Sequence, residues 1–185
     1  MRQHDDGLPA ALWAAIRRTA ADAGMPFDEI RHVHPVGGGS ISRAFVLESR
    51  GDKIFVKVNS AERAELFAAE ADGLAALAAC PALCIPRVIG QGTLGGHAYL
   101  ILDHLTLLPL RHAADSAAAG QALAALHGMH GSTFGWRSDN FIGSTPQYNT
   151  QHATWADFFN SQRLQPQLAL AKRQGASSRL IERGQ

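Results

Sequence analysis

Apolar and polar residues recur along this chain with two different periods, and the change of period divides it. Leu12, Trp13 and Ile16 mark one face of a helix predicted over Leu8–Ala23, the spacing of a surface helix that packs by one stripe. Pro9 suits its first turn, where no N–H is needed, and Gly24-Met25-Pro26 ends it. Alternation with a period of two then takes over. Ile30–Val36 reads as a short strand and Arg43–Ser49 as a second, with Ala44 and Val46 on one face and Phe45 and Leu47 on the other. Val36–Ser42 is a glycine turn between them, and Arg50-Gly51-Asp52-Lys53 is a hairpin turn into a third strand, Ile54–Val58. Asn59 or Ser60 caps a helix that runs to about Ala79 and stops before Pro81. Val88–Gly90 and Ala98–Leu102 read as further strands, joined through a turn at Gly92–Gly96.

Beyond Asp103 the helical period returns. Ser116–His130 is rich in Ala and Leu, Gly131–Thr150 has loop composition, and Thr154–Gln174 is helical with Trp155, Phe158 and Phe159 at core-facing spacing. Pro166 is set to kink or divide that last helix. The pattern therefore predicts an α+β chain. A mostly antiparallel sheet lobe with one long helix spans 1–103, and a helical lobe spans 104–185, with a hinge near Asp103–Pro109.

Composition narrows the partners. Apolar residues make up 46% and charged residues 18%, which are globular values. A net charge of +1, from 17 basic and 16 acidic residues, gives no electrostatic case for nucleic acid or an anionic membrane. Cys80 and Cys84 read as reduced thiols of a cytoplasmic protein, since a zinc half-site lacks a second pair. Asp5 and Asp6 occupy the region that a signal peptide makes basic, and Arg17, Arg18 and Asp22 interrupt the apolar run behind them. No segment has the roughly 18 apolar residues of a membrane span. His127, His130 and His152 lack an acidic or thiol companion in a ligand pattern, so they read as core or surface histidines.

The candidate chemistry sits in the sheet lobe. Gly37, Gly38 and Gly39, followed by Ser40, let backbone N–H groups approach a phosphate closely. A Walker loop or a dinucleotide fingerprint runs from strand into helix, whereas these glycines join strand to strand, as the cover of a kinase site does. A tight hairpin alone would also explain them. Lys57, set in Phe55-Val56-Lys57-Val58, is either an edge-strand lysine facing water or a phosphate ligand. Glu70 favours the second reading. Its helical neighbours Leu66, Phe67, Leu74 and Leu77 are apolar, and a carboxylate unpaired on a buried face would cost several kcal/mol. Pairing with Lys57 resolves that and orients the lysine toward the α- and β-phosphates of ATP. Leu102, Asp103, His104 and Leu105 fall where an adenine-binding hinge would lie, by position only.

With these residues placed, the chain resembles the fructosamine/ketosamine kinase family, relatives of aminoglycoside and choline kinases with a protein-kinase-like fold. The resemblance runs from about Trp13 to Gly175. Its carriers include Pro35-Val36-Gly37-Gly38-Gly39-Ser40-Ile41, Phe55-Val56-Lys57, Ala69-Glu70-Ala71-Asp72-Gly73-Leu74 and Pro86-Arg87-Val88-Ile89-Gly90. More specific are Phe134-Gly135-Trp136, Asn140 to Gln147, Trp155-Ala156-Asp157-Phe158-Phe159 and Arg163-Leu164, which generic kinases lack. The resemblance implies ATP- and Mg2+-dependent phosphorylation of the 3-hydroxyl of ketosamines, free or protein-linked, which makes the adduct labile and so removes glycation. It implies that Lys57 and Glu70 orient the phosphates under Gly37–Ser40. Asn140–Gln147 either shapes the sugar side or braces its lobe. The family's His-Gly-Asp catalytic loop and its magnesium ligands have no counterpart up to Gln185: His127-Gly128-Met129 offers methionine for the acid. These 185 residues alone are therefore expected to hold ATP without transferring phosphate, the metal ligands lying beyond Gln185. A non-catalytic nucleotide-binding module and a kinase of an aminoglycoside or choline-like alcohol are the competing readings. Apolar surface left on the two helical segments is expected to favour self-association.

Overall fold

The computed structural model of the protein describes residues 7–25, 27 and 29–184. Asp5, Asp6 and Pro26, which entered the reading of the N-terminus and of the first helix stop, lie outside them. The chain forms two compact units, one ending at Met129 and the other beginning at His130. The helix that follows the Asp103–Pro109 segment thus belongs to the first unit.

The first unit is built on five strands: β1 (His32–Val36), β2 (Arg43–Ser49), β3 (Asp52–Ser60), β4 (Val88–Leu94) and β5 (His97–Asp103). Their order is β1-β2-β3-β5-β4, and every neighbouring pair is antiparallel. Consecutive hairpins explain most of that order. The long connection from β3 to β4 carries α2 (Ala64–Leu77) and lets β5 insert beside β3. Ala98 to Leu102 are all buried, the continuous apolar run of a strand covered on both faces.

Alternation along β3 assigns the faces. Ile54, Val56 and Val58 join Phe45, Leu47, Tyr99 and Ile101 in a core closed by Leu12, Trp13 and Ile16 of α1 (Ala10–Asp22). Trp13 meets Phe45 edge-on at 5.3 Å between ring centroids, a favoured aromatic geometry. Thr19 Oγ1 lies 2.8 Å from Tyr99 Oη and ties α1 to β5. The opposite face carries a smaller core of Ala98, Leu100, Leu102 and Phe67 of α2, flanked by Phe55 and Leu74. Burying one such side chain contributes about 1.5–3 kcal/mol.

Several boundaries differ from the sequence reading. β4 continues past Gly92 to Leu94, so the hairpin turn narrows to Gly95-Gly96. A 3-10 turn, Ala61–Arg63, precedes α2. Helix α3 starts at Ala113, not Ser116, because Asp115 Oδ2 accepts hydrogen bonds from the backbone N–H groups of Arg111 and His112 at 3.3 and 3.1 Å. It ends at His127 and buries no residue.

In the second unit the predicted loop holds a hairpin, β6 (Asn140–Ile142) with β7 (Thr145–Gln147). The single predicted helix is divided: α4 (Trp155–Phe159), a π-helical turn over Asn160–Leu164, and α5 (Gln165–Arg173). Pro166 supplies the cause. It has no N–H for the Gln162 carbonyl, and Arg163 Nη1 donates to that oxygen instead, at 3.0 Å. Of the three aromatics expected in the core only Phe158 is buried; Trp155 and Phe159 are exposed, their rings tilted at 34° with centroids 5.5 Å apart. A last helix, α6 (Ser178–Gly184), was not anticipated. Among the described residues no helix is long and apolar enough to cross a membrane.

Candidate functional site

Gly37–Ser42 connects β1 to β2 as an irregular turn flanked by the exposed side chains of Val36 and Ile41. Gly38 has φ +103°, a conformation that side-chain-bearing residues rarely adopt. A Cβ on Gly39 would sit 3.1 Å from the Ser42 carbonyl oxygen. The loop can therefore present bare backbone to a ligand.

Lys57 lies on β3, with Ala44 of β2 opposite on one side and Leu100 of β5 opposite on the other. β3 is thus an interior strand, which removes the edge-strand alternative. The Lys57 side chain leaves the sheet on the face covered by α2, where Nζ donates to Glu70 Oε2 at 2.5 Å. The two side chains are 27% and 32% exposed. That corrects one premise of the sequence argument. Leu66, Leu74 and Leu77 are only half-buried, with Phe67 the one buried residue of α2. Glu70 is therefore held at the rim of the smaller core, not inside it. Such a pair is worth less than a dry one and more than a fully solvated one, about 1–2 kcal/mol.

Asn59, read from sequence as a possible helix cap, does something else. Its Nδ2 donates to the Ile41 carbonyl and to Ser42 Oγ, both at 3.0 Å, and its Oδ1 accepts from the Ser60 N–H at 2.8 Å. No sequence rule marks an Asn at a strand end as a brace for a loop many residues earlier. The register Arg43↔Val58 was the signal available, because it sets Asn59 level with the end of the glycine turn.

The proposed hinge residues lie along and just past the end of β5. Leu102 is buried and opposite Phe55. The Asp103 N–H is already spent on the Arg87 carbonyl at 3.0 Å, and its carboxylate accepts from the Arg87 N–H at 3.3 Å and Nη2 at 3.4 Å. His104 and Leu105 follow the strand and are half-buried.

The second unit has a cavity of about 430 Å³ walled by Phe134, Trp136, Trp155 and Phe158, with Asn140 and Arg163 among its polar lining. Gly135 is fixed by close approach. Its φ is +136°, and a Cβ there would meet the Asn149 carbonyl oxygen at 2.8 Å and Gln151 Cα at 3.0 Å. Phe134 and His152 exchange both backbone hydrogen bonds beside it. Arg163 stacks over Phe158 at 4.5 Å and donates to Tyr148 O at 2.6 Å and Asn149 Oδ1 at 2.5 Å. Partial burial lowers its pKa from the usual arginine value. Asn149 is buried and further bonded to Asp139 Oδ1 and to the Ser138 carbonyl, and Gln147 Nε2 donates to Asn140 Oδ1. Within Asn140–Gln147 the two end residues thus hold each other. Cys80 and Cys84 are free thiols. Among the described residues no group of three His, Cys, Asp or Glu side chains is placed to hold a metal ion.

Comparison with known proteins agrees with the motifs. The family model for fructosamine kinase matches residues 12–183. A probable ketoamine kinase of Synechocystis is 42% identical over 171 residues, covering 91% of this chain and 57% of that protein. A probable ketoamine kinase of Vibrio cholerae is 35% identical over 168 residues, covering 90% and 58%. This chain therefore spans less than three-fifths of the length of these curated relatives. Among solved structures, a candidate fructosamine-3-kinase from Haemophilus somnus superposes with a TM-score of 0.79 at 28% identity, over 88% of this chain and 55% of that one. One from Thermobifida fusca gives 0.72 at 26% identity, over 91% and 58%. The architecture is α+β and protein-kinase-like, with an antiparallel sheet lobe ahead of a helical part. The chain belongs to the fructosamine kinase family.

Proposed function

We propose that the first unit grips the phosphates of ATP and that the protein containing it is a kinase transferring the γ-phosphoryl group to the 3-hydroxyl of a ketosamine such as fructosamine. The observation that carries this reading is the Lys57–Glu70 pair, 2.5 Å apart, on the strand that Asn59 ties to the glycine turn. In that arrangement Lys57 holds a compact positive charge toward the α- and β-phosphates, and Glu70 keeps it from swinging away. Gly37, Gly38, Gly39 and Ser40 cover the phosphates with backbone N–H groups. Leu102 to Leu105 line the adenine side, with His104 and Leu105 offering the main-chain groups, since the Asp103 N–H is engaged with Arg87. ATP is used with Mg2+, which neutralises charge on the transferring phosphoryl group. The roles proposed for Lys57, Glu70 and the glycine turn are to hold nucleotide; they include neither magnesium ligation nor proton acceptance. The names of the relatives support ketosamines over an aminoglycoside or choline-like alcohol as acceptor. The site is cytoplasmic, and the consequence of the reaction is deglycation.

The test uses a family-length protein carrying this segment, a fructosyl amine and MgATP, with ADP release as readout. Lys57→Met should abolish most turnover while the far-ultraviolet circular dichroism stays unchanged. Near-normal turnover of that variant refutes the assigned role.

A further inference from the structure

The glycine turn has three consecutive residues without side chains, so no side chain within Gly37–Gly39 can fasten it. Its entry is held by β1 and its exit by β2, whose ladder with β3 ends at Arg43↔Val58. The next position on β3 is Asn59, and the next on the turn side is Ser42. There the backbone ladder stops and a side chain takes over: Asn59 Nδ2 bonds the Ile41 carbonyl and Ser42 Oγ, each at 3.0 Å. Asn59 Oδ1 is fixed in turn by the Ser60 N–H, at 2.8 Å. This third bond sets which end of the amide faces the loop, because only the NH₂ end can donate to a carbonyl. Asn59 also lies two residues from Lys57, so both side chains leave the same face of β3.

We infer that Asn59 is a positioning residue that clamps the exit of the glycine turn to the Lys57 strand, so that phosphate cover and lysine move as one body. This rests on the reading of the first unit as a phosphate grip. A loop of glycines gains most from such a clamp, because it has the most conformational freedom to lose on closing over a ligand. Ordering it in advance raises affinity without any contact between Asn59 and the nucleotide.

Asn59→Asp is the informative substitution. It keeps the size of the side chain and an oxygen for the Ser60 N–H, removes both N–H donors to the loop, and adds a negative charge, so loop order and not affinity is the deciding readout. In the 185-residue chain, 15N-relaxation order parameters of the backbone over residues 37–42 should fall from about 0.85 toward about 0.6. Affinity for MgATP, measured by calorimetry, should fall about tenfold, the scale of losing two ordinary hydrogen bonds, and thermal unfolding should shift by no more than about 4 °C. Ser42→Ala, which leaves the Ile41 bond, should show a smaller change in both. Unchanged order parameters in Asn59→Asp overturn the clamp whatever happens to affinity. If the unaltered chain fails to bind MgATP, the phosphate-grip reading falls, and the order parameters still decide the clamp. Binding by the unaltered chain, with equal affinity and order parameters in Asn59→Asp, leaves that reading standing and removes the clamp.

Discussion

The Lys57–Glu70 pair makes a quantitative claim that a double-mutant cycle can check. Glu70→Gln keeps the shape of the side chain and removes its charge, and Lys57→Met does the same for its partner. At 27% and 32% exposure neither group is fully desolvated. Each orphaned partner can recover part of its hydration, which keeps the cost below the 3–5 kcal/mol of breaking a buried pair. The contact at 2.5 Å on an interior strand and a packed helix is nonetheless better fixed than a solvated pair worth 0.2–1 kcal/mol. The coupling should therefore be about 1–2 kcal/mol, or roughly 5- to 30-fold in the folded-to-unfolded ratio. Urea is the denaturant to use, since guanidinium would screen the charges. Fluorescence of the buried Trp13 reports on the first unit. The more exposed Lys53–Glu48 contact, at 3.8 Å, is the internal control and should couple by less than about 0.5 kcal/mol. Coupling between Lys57 and Glu70 below about 0.3 kcal/mol, the usual limit of additivity, would refute the reasoning.

Three further outcomes follow from the structure. Gly135→Ala forces a Cβ against the backbone of Asn149, Thr150 and Gln151 at a positive φ, and should destabilise the second unit by about 3 kcal/mol in urea unfolding; a loss under about 1 kcal/mol would show that the crossing relaxes. Arg163→Met preserves much of the stacking on Phe158 but leaves the buried Asn149 Oδ1 and the Tyr148 carbonyl without their donor, at a cost of about 2–3 kcal/mol. Leu107 and Leu108 are more than four-fifths exposed, and Leu123 of α3 is half exposed; light scattering should therefore find copies of the chain associated, and Leu108→Glu with Leu123→Glu should return them to monomer mass.

The sheet was legible because its signals are local and physical. Alternation in Arg43–Ser49 follows from one face packing on α1, and the register of β2 on β3 follows from the Gly51 hairpin. Lys57 and Glu70 were legible as a pair because each is a charge set among apolar neighbours, although the sequence overstated how deeply α2 is buried. What was missed depends on contacts distant in sequence or on unusual caps. Asn59 has the composition of a helix cap, and only the end of the β2–β3 ladder reveals its other partners. The start of α3 depends on Asp115 reaching back, in a helix whose Ala-rich sequence looks uniform. Trp155 and Phe159 have core-facing spacing, but a five-residue helix cut short by the Pro166 distortion buries only Phe158.

That this unit grips ATP through Lys57 is open to calorimetric titration of MgATP into the 185-residue chain. Binding should be saturable and weaken at least tenfold in Lys57→Met, a loss of about 1.4 kcal/mol or more, with the fold intact by circular dichroism. Equal affinity in the two proteins, or no binding by either, would contradict it.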